Sequence, residues 1–182
     1  VPTWIWAMKT APVKYWKRSQ LTATQSSNRK PGHCWNGLAK APPRFSPDPL
    51  PPGSRVACRI EYDGSLYNGW QAQPHLNVTT VQQTLEAALA IVANQPLRVH
   101  CAGRTDTGVH ALGQIIHFDD PVGRSCKNWV IGTNTNLPAS VRVHWALPVP
   151  SDFHSRFSAL SRRYQYVIGN TPVRSALLAR QV

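Results

Sequence analysis

The chain has 182 residues and carries 20 Lys and Arg against 8 Asp and Glu, a net charge of +12. That length suits one packed domain with a tail, and the excess of positive charge points to a polyanionic partner, nucleic acid first. No apolar run is long enough to cross a bilayer as a helix. The four cysteines (Cys34, Cys58, Cys101, Cys126) form no CxxC pair and no zinc spacing, which argues against a metal module or a disulfide framework and for a reducing, cytoplasmic setting.

Residues 1–54 do not read as a folded domain. They hold 9 of the 16 prolines and 4 of the 7 tryptophans, with no sustained period of 2 or 3.6. Pro42-Pro43, Pro47, Pro49 and Pro51-Pro52 favour extended backbone. The segment carries 8 basic residues and one acid, Asp48, and is expected to be disordered. A transit peptide, an RNA-binding arm and upstream read-through are all compatible with this composition. Val1–Ala7 lacks the basic start of a signal peptide. The remainder still holds 12 basic against 7 acidic residues, and 11 of the 12 are Arg, whose planar fork grips phosphates and stacks on bases.

At Arg55 the pattern changes. Val56, Cys58, Ile60 and Tyr62 alternate with Ala57, Arg59 and Glu61, which predicts a half-buried strand. Asp63-Gly64 makes a turn, and an irregular segment through Gly69-Trp70-Gln71 follows. Thr79 or Thr80 would cap a helix over about 80–94, with Gln82 and Gln83 placed as in a capping box and Val81, Leu85, Leu89 and Val92 on one face. Leu97, Val99 and Cys101 predict a strand that leads into the loop Gly103–Ala111. Gln114–Phe118 predict the next strand, ended by Asp119-Asp120-Pro121. A short helix is expected over about 125–132, then strands at 141–147 and around Arg162–Ile168. This order gives an α+β fold: a ferredoxin-like, split βαβ antiparallel sheet with helices on one face. The expected division is a tail over 1–54 and a domain over 55–182.

The loop Gly103-Arg104-Thr105-Asp106-Thr107-Gly108-Val109-His110-Ala111 carries the chemistry. Arg104 and Asp106 are two apart, so on extended backbone they point the same way. A guanidinium beside a carboxylate favours the ionised form, which can act as nucleophile or base. Gly103 and Gly108 let the chain turn or approach a ligand closely. Alone, the pair could equally be a surface ion pair across a turn. His100, His117 and His144 read as structural, and His110 and His154 have no role legible in the sequence.

The loop resembles the signature loop of TruA-type tRNA pseudouridine synthases, and other blocks resemble that family in order. They are Glu61-Tyr62-Asp63-Gly64 with Gly69-Trp70-Gln71; Thr80-Val81-Gln82; Asn134-x-Asn136-Leu137-Pro138; Phe153-His154-Ser155-Arg156-Phe157-Ser158-Ala159; and Arg163-Tyr164-Gln165-Tyr166. The resemblance covers about residues 55–170. It implies isomerisation of uridine to pseudouridine in the anticodon arm of tRNA, at positions 38 to 40: the N-glycosidic bond breaks, the uracil turns, and C5 bonds to the sugar. It implies no cofactor and no metal. It makes Asp106 the catalytic residue, attacking the sugar or taking a proton from it. It implies that Arg104 pairs with Asp106 and fills the gap left by the flipped nucleotide, and that Tyr164 stacks on the target base. Arg156, Arg162 and Arg163 become phosphate contacts. The family works as a homodimer and has a second half-domain not found after Asn170, so this polypeptide is expected to be an inactive fragment. The competing reading is a non-catalytic RNA-binding module of RRM-like topology, which needs no Arg104–Asp106 combination. A hydrolase using Asp106 would want a second carboxylate among Asp63, Asp119, Asp120 and Asp152.

Overall fold

The computed structural model describes residues 4–5, 20–23, 46–173 and 175–176. Its strands are β1 (Trp4–Ile5), β2 (Gln20–Ala23), β3 (Arg55–Tyr62), β4 (His100–Cys101), β5 (Ala111–Asp119), β6 (Val141–Val149) and β7 (Arg162–Tyr166). Its α-helices are α1 (Val81–Ala93) and α2 (Cys126–Asn136).

Four strands pair antiparallel in the order β4-β5-β3-β6. The unit β3-α1-β4 therefore straddles β5, and β5-α2-β6 straddles β3, which is the split βαβ plan expected from the sequence. β7 stands outside this sheet and pairs with β1 and β2 in the order β1-β7-β2. Of residues 1–45, only β1 and β2 are described; the expectation of disorder otherwise falls outside the described residues. Residues 46–54 pack onto the domain, so the described fold begins upstream of Arg55: Lys127 N donates to Ser46 O (3.2 Å), Gly53 N donates to Asp120 O (2.6 Å), and Pro49 bridges Ser125.

Alternation on β3 sets the core. Val56, Cys58, Ile60 and Tyr62 face the helices, where they meet Leu85 and Leu89 of α1, Trp129 and Val130 of α2, and Ile116 and Phe118 of β5. The opposite face is also covered: Ala57, Trp145 and Phe153 are buried together there. Thr80 caps α1 by accepting from Gln83 N, and Asn94 ends it in the left-handed region at φ 55°. Gly132 lets the two helices approach, since a Cβ there would lie 3.0 Å from Val92 Cγ2.

Two elements differ from expectation. β4 is shorter because Val99 bonds to α1 side chains: its N–H donates to Glu86 Oε1 (3.0 Å) and its carbonyl accepts from Gln82 Nε2 (3.5 Å). α2 runs past 132 because its last turn is used structurally. Asn134 donates to Val143 O (2.8 Å) and accepts from Val143 N (2.9 Å), holding the backbone of edge strand β6.

Candidate active site

The loop between β4 and β5 is fixed from three sides. On the first, Tyr62 and Thr105 share a buried hydrogen bond between hydroxyls (2.8 Å), and burial raises the phenol pKa, so Tyr62 stays neutral. On the second, Trp70 N donates to Thr105 O (2.9 Å), and Gly108 N donates to Tyr67 O (3.3 Å). On the third, the fully buried Gln114 brackets Gly103: its Oε1 accepts from Gly103 N (3.3 Å) and its Nε2 donates to Gly103 O. Two glycines let the chain come this close. A Cβ on Gly64 would stand 1.9 Å from Val109 O, and one on Gly69 2.8 Å from Thr105 O. The loop's far end is anchored by His110, whose Nδ1 lies 3.1 Å from Asp63 Oδ1. That contact joins the Asp63-Gly64 turn to the loop and gives His110 a role the sequence did not show.

Thr105 is buried while Arg104 and Asp106 are exposed. Alternation thus puts both charged side chains outward, as expected. The expected Arg104–Asp106 ion pair does not form among the described residues. Two side chains in water gain only about 0–1 kcal/mol from such a pair, so spacing alone does not impose it.

Beside the loop lies a cleft of about 970 Å³. Arg104, Arg156 and Tyr164 all line it, with Arg98 and Arg162, whereas Asp106 is not among its lining residues. Four of the expected residues, Arg104, Arg156, Arg162 and Tyr164, are therefore brought to one surface. Arg163 is exposed and is not part of the cleft wall, because alternation along β7 turns it away from Arg162 and Tyr164. Arg162 also braces the wall: its Nε donates to Ala102 O (2.8 Å) and Nη2 to Arg156 O (2.6 Å). Arg98 and Gln114 were not singled out in the sequence. Arg98 reads as an outward position of the strand predicted over Leu97–Cys101, and Gln114 as an ordinary polar strand residue.

Two of the four carboxylates that a hydrolase would recruit, Asp119 and Asp120, are engaged elsewhere. Asp119 is held by Arg55 (2.7 Å), which keeps its pKa below the usual range. Buried Asp120 accepts from Trp129 Nε1 (2.9 Å) and from the N–H groups of Val122 and Gly123. Among the described residues no group of three or more His, Cys, Asp or Glu side chains could hold a metal ion. No helix there is long and apolar enough to cross a membrane.

The segment Phe153–Ala159 reaches the cleft by docking on the sheet. Ser155 is its buried pin: its hydroxyl bonds His117 Nδ1 (2.9 Å), and its N–H donates to the same nitrogen (3.2 Å). Burial pushes the His117 pKa down to about 4, helped by His154, His100 and Arg55. Below an unfolded value near 6.5, the unfolded chain binds a proton that the fold refuses. Stability is therefore expected to be constant above about pH 6.5 and to fall between pH 6.5 and 4, by roughly 2–3 kcal/mol from this group. Thermal unfolding across that window checks it, and His117→Asn should flatten the slope. A slope unchanged by the substitution would remove His117 as its source.

Residues 59–158 match the family described as tRNA pseudouridine synthase. Similar proteins include tRNA pseudouridine synthase A of Hydrogenovibrio crunogenus, 54% identical over 127 residues that make up 70% of this chain and 48% of that protein. The Pseudomonas aeruginosa protein of the same name is 56% identical over 129 residues, 71% of this chain and 45% of its own. That of Aliivibrio fischeri is 52% identical over 128 residues, covering 70% and 48%. The chain spans about half the length of the curated relatives it matches.

Proposed function

The chain belongs to the tRNA pseudouridine synthase family, and from that premise we propose that it supplies the catalytic half of an enzyme that isomerises uridine to pseudouridine in the anticodon stem-loop of tRNA, at positions 38 to 40. The observation that carries this reading is the clamped loop. Gly64, Gly69, Tyr62 and Gln114 hold a short backbone segment while Arg104 and Asp106 are left outside it, beside a cleft that holds Tyr164 and four arginines.

In this reading Asp106 is the catalytic group. Ionised, it acts as nucleophile at the sugar or as base toward it. The N1–C1′ bond breaks and a C5–C1′ bond forms, C5 loses its proton and N1 gains one, so no electrons are exchanged and no cofactor is needed. A uridine in a stem must leave the stack to be reached, at a cost of a few kcal/mol. Tyr164 offsets part of it by stacking, roughly 1–3 kcal/mol per base, and Arg104 enters the space the nucleotide vacates. Arg156 binds phosphate in the cleft, and Arg163 does so on the outer face of β7. The division that goes with this reading is a tail over 1–54, whose last residues, 46–54, pack on the domain, and a catalytic half-domain over 55–182. The full-length form acts as a cytoplasmic homodimer, and the 182 residues alone turn over slowly or not at all. A non-catalytic RNA-binding module would use the same cleft but leaves Asp106 idle.

The test is a chimaera in which residues 55–170 replace the matching segment of the Pseudomonas aeruginosa relative. Incubated with unmodified tRNA, it is expected to yield pseudouridine at positions 38 to 40. Tight tRNA binding without product would favour the binding module instead.

A further inference from the structure

Four rings form a ladder up one side of the cleft. His100 on β4 and His117 on β5 stack with centroids 5.0 Å apart and planes 21° apart. His154 packs on His117 at 4.6 Å, and Phe157 on His154 at 4.4 Å. The foot is buried and pinned, with His117 2% exposed and bonded to Ser155. The top is open: Phe157 is 66% exposed and lines the cleft. The Arg156 guanidinium carbon lies 5.8 Å from the Phe157 ring centroid. Arg98, Arg104 and Arg162 line the same cleft.

We propose that Phe157 is a second stacking platform, which takes an unpaired nucleobase of the RNA other than the target base assigned to Tyr164. The chemistry is that of single-strand recognition: aromatic faces set in a basic groove, with stacking that tolerates any base. The ladder below Phe157 fixes the ring in advance, so little side-chain freedom is lost on binding. Arg156 beside it can bind the phosphate of the nucleotide that stacks. The inference rests on the cleft being the RNA site.

Binding separates the two claims and does not require turnover. The 182-residue chain is titrated with an RNA stem-loop and with the same stem closed as a duplex, over a range of salt. Phe157→Leu keeps apolar bulk but removes the π-face. It is expected to weaken stem-loop binding about five- to a hundredfold, to leave the slope of log Kd against log salt unchanged, and to leave duplex binding unchanged. Phe157→Trp should bind within about twofold of wild type, and Arg156→Ala should reduce the salt slope by about one. Stem-loop binding by Phe157→Leu equal to wild type, or failure of Phe157→Trp to match wild type, overturns the platform while leaving the RNA cleft standing. Failure of the wild-type chain to bind the stem-loop overturns the cleft reading and the platform with it.

Discussion

Gly64→Ala is expected to destabilise the domain by about 3 kcal/mol or more, at the upper end of what overpacking costs. The Cβ would lie 1.9 Å from Val109 O, 2.3 Å from Val109 C and 2.9 Å from Val109 N. All three atoms are backbone, so no rotamer change relieves the contact; the turn and the loop must separate. Separation weakens the His110–Asp63 contact and moves the loop that carries Asp106. Gly108→Ala serves as the contrast. Gly108 sits at φ +80° with nothing within 4 Å of a built Cβ, so the penalty there is conformational alone, about 1–2 kcal/mol. Thermal unfolding of both variants should show a clearly larger fall in Tm for Gly64→Ala. Equal falls would mean that the turn and loop part at no more than the conformational cost at Gly108, and that the close approach does not fix the site.

What the sequence disclosed and what it hid follow from the range of the forces involved. Val56, Cys58, Ile60 and Tyr62 were readable as an inward face because a sheet covered by helices imposes period 2. A cap at Thr79 or Thr80 was readable because the partner lies three residues on, and the structure selects Thr80 with Gln83. The loop itself was legible as a motif, and Arg104, Arg156 and Tyr164 do reach one cleft. Contacts between distant segments were not readable. Nothing local says that Gly64 faces Val109, that Gly69 faces Thr105, or that Gln114 grips Gly103. The choice between Arg162 and Arg163 was open to inspection, since Arg162 lies two residues from Tyr164 and must share its side of β7. The Arg104–Asp106 pair shows the opposite limit: spacing set the direction of both side chains but not their contact, which exposed rotamers decide.

Asp106→Asn separates chemistry from folding and binding. Asparagine has nearly the same shape but cannot ionise, so it serves neither as nucleophile nor as base. In the chimaera carrying residues 55–170, pseudouridine formation is expected to fall about 10³-fold or more, in line with loss of a reacting group. Stability should move by less than about 0.5 kcal/mol, the usual range for surface substitutions. The side chain is exposed, and the loop is held through Thr105, Gly103 and the Asp106 carbonyl, which accepts from Val109 N (3.2 Å). Affinity for tRNA should hold or rise slightly, since the substitution removes a negative charge near a bound polyanion. The three readouts therefore diverge: turnover collapses while Tm and Kd stay in place. A variant that retains more than about a tenth of wild-type turnover, well above the loss expected for a reacting group, would take Asp106 out of the reaction. A variant that loses Tm along with turnover would make the carboxylate a structural support, at odds with its exposed position outside the clamped backbone.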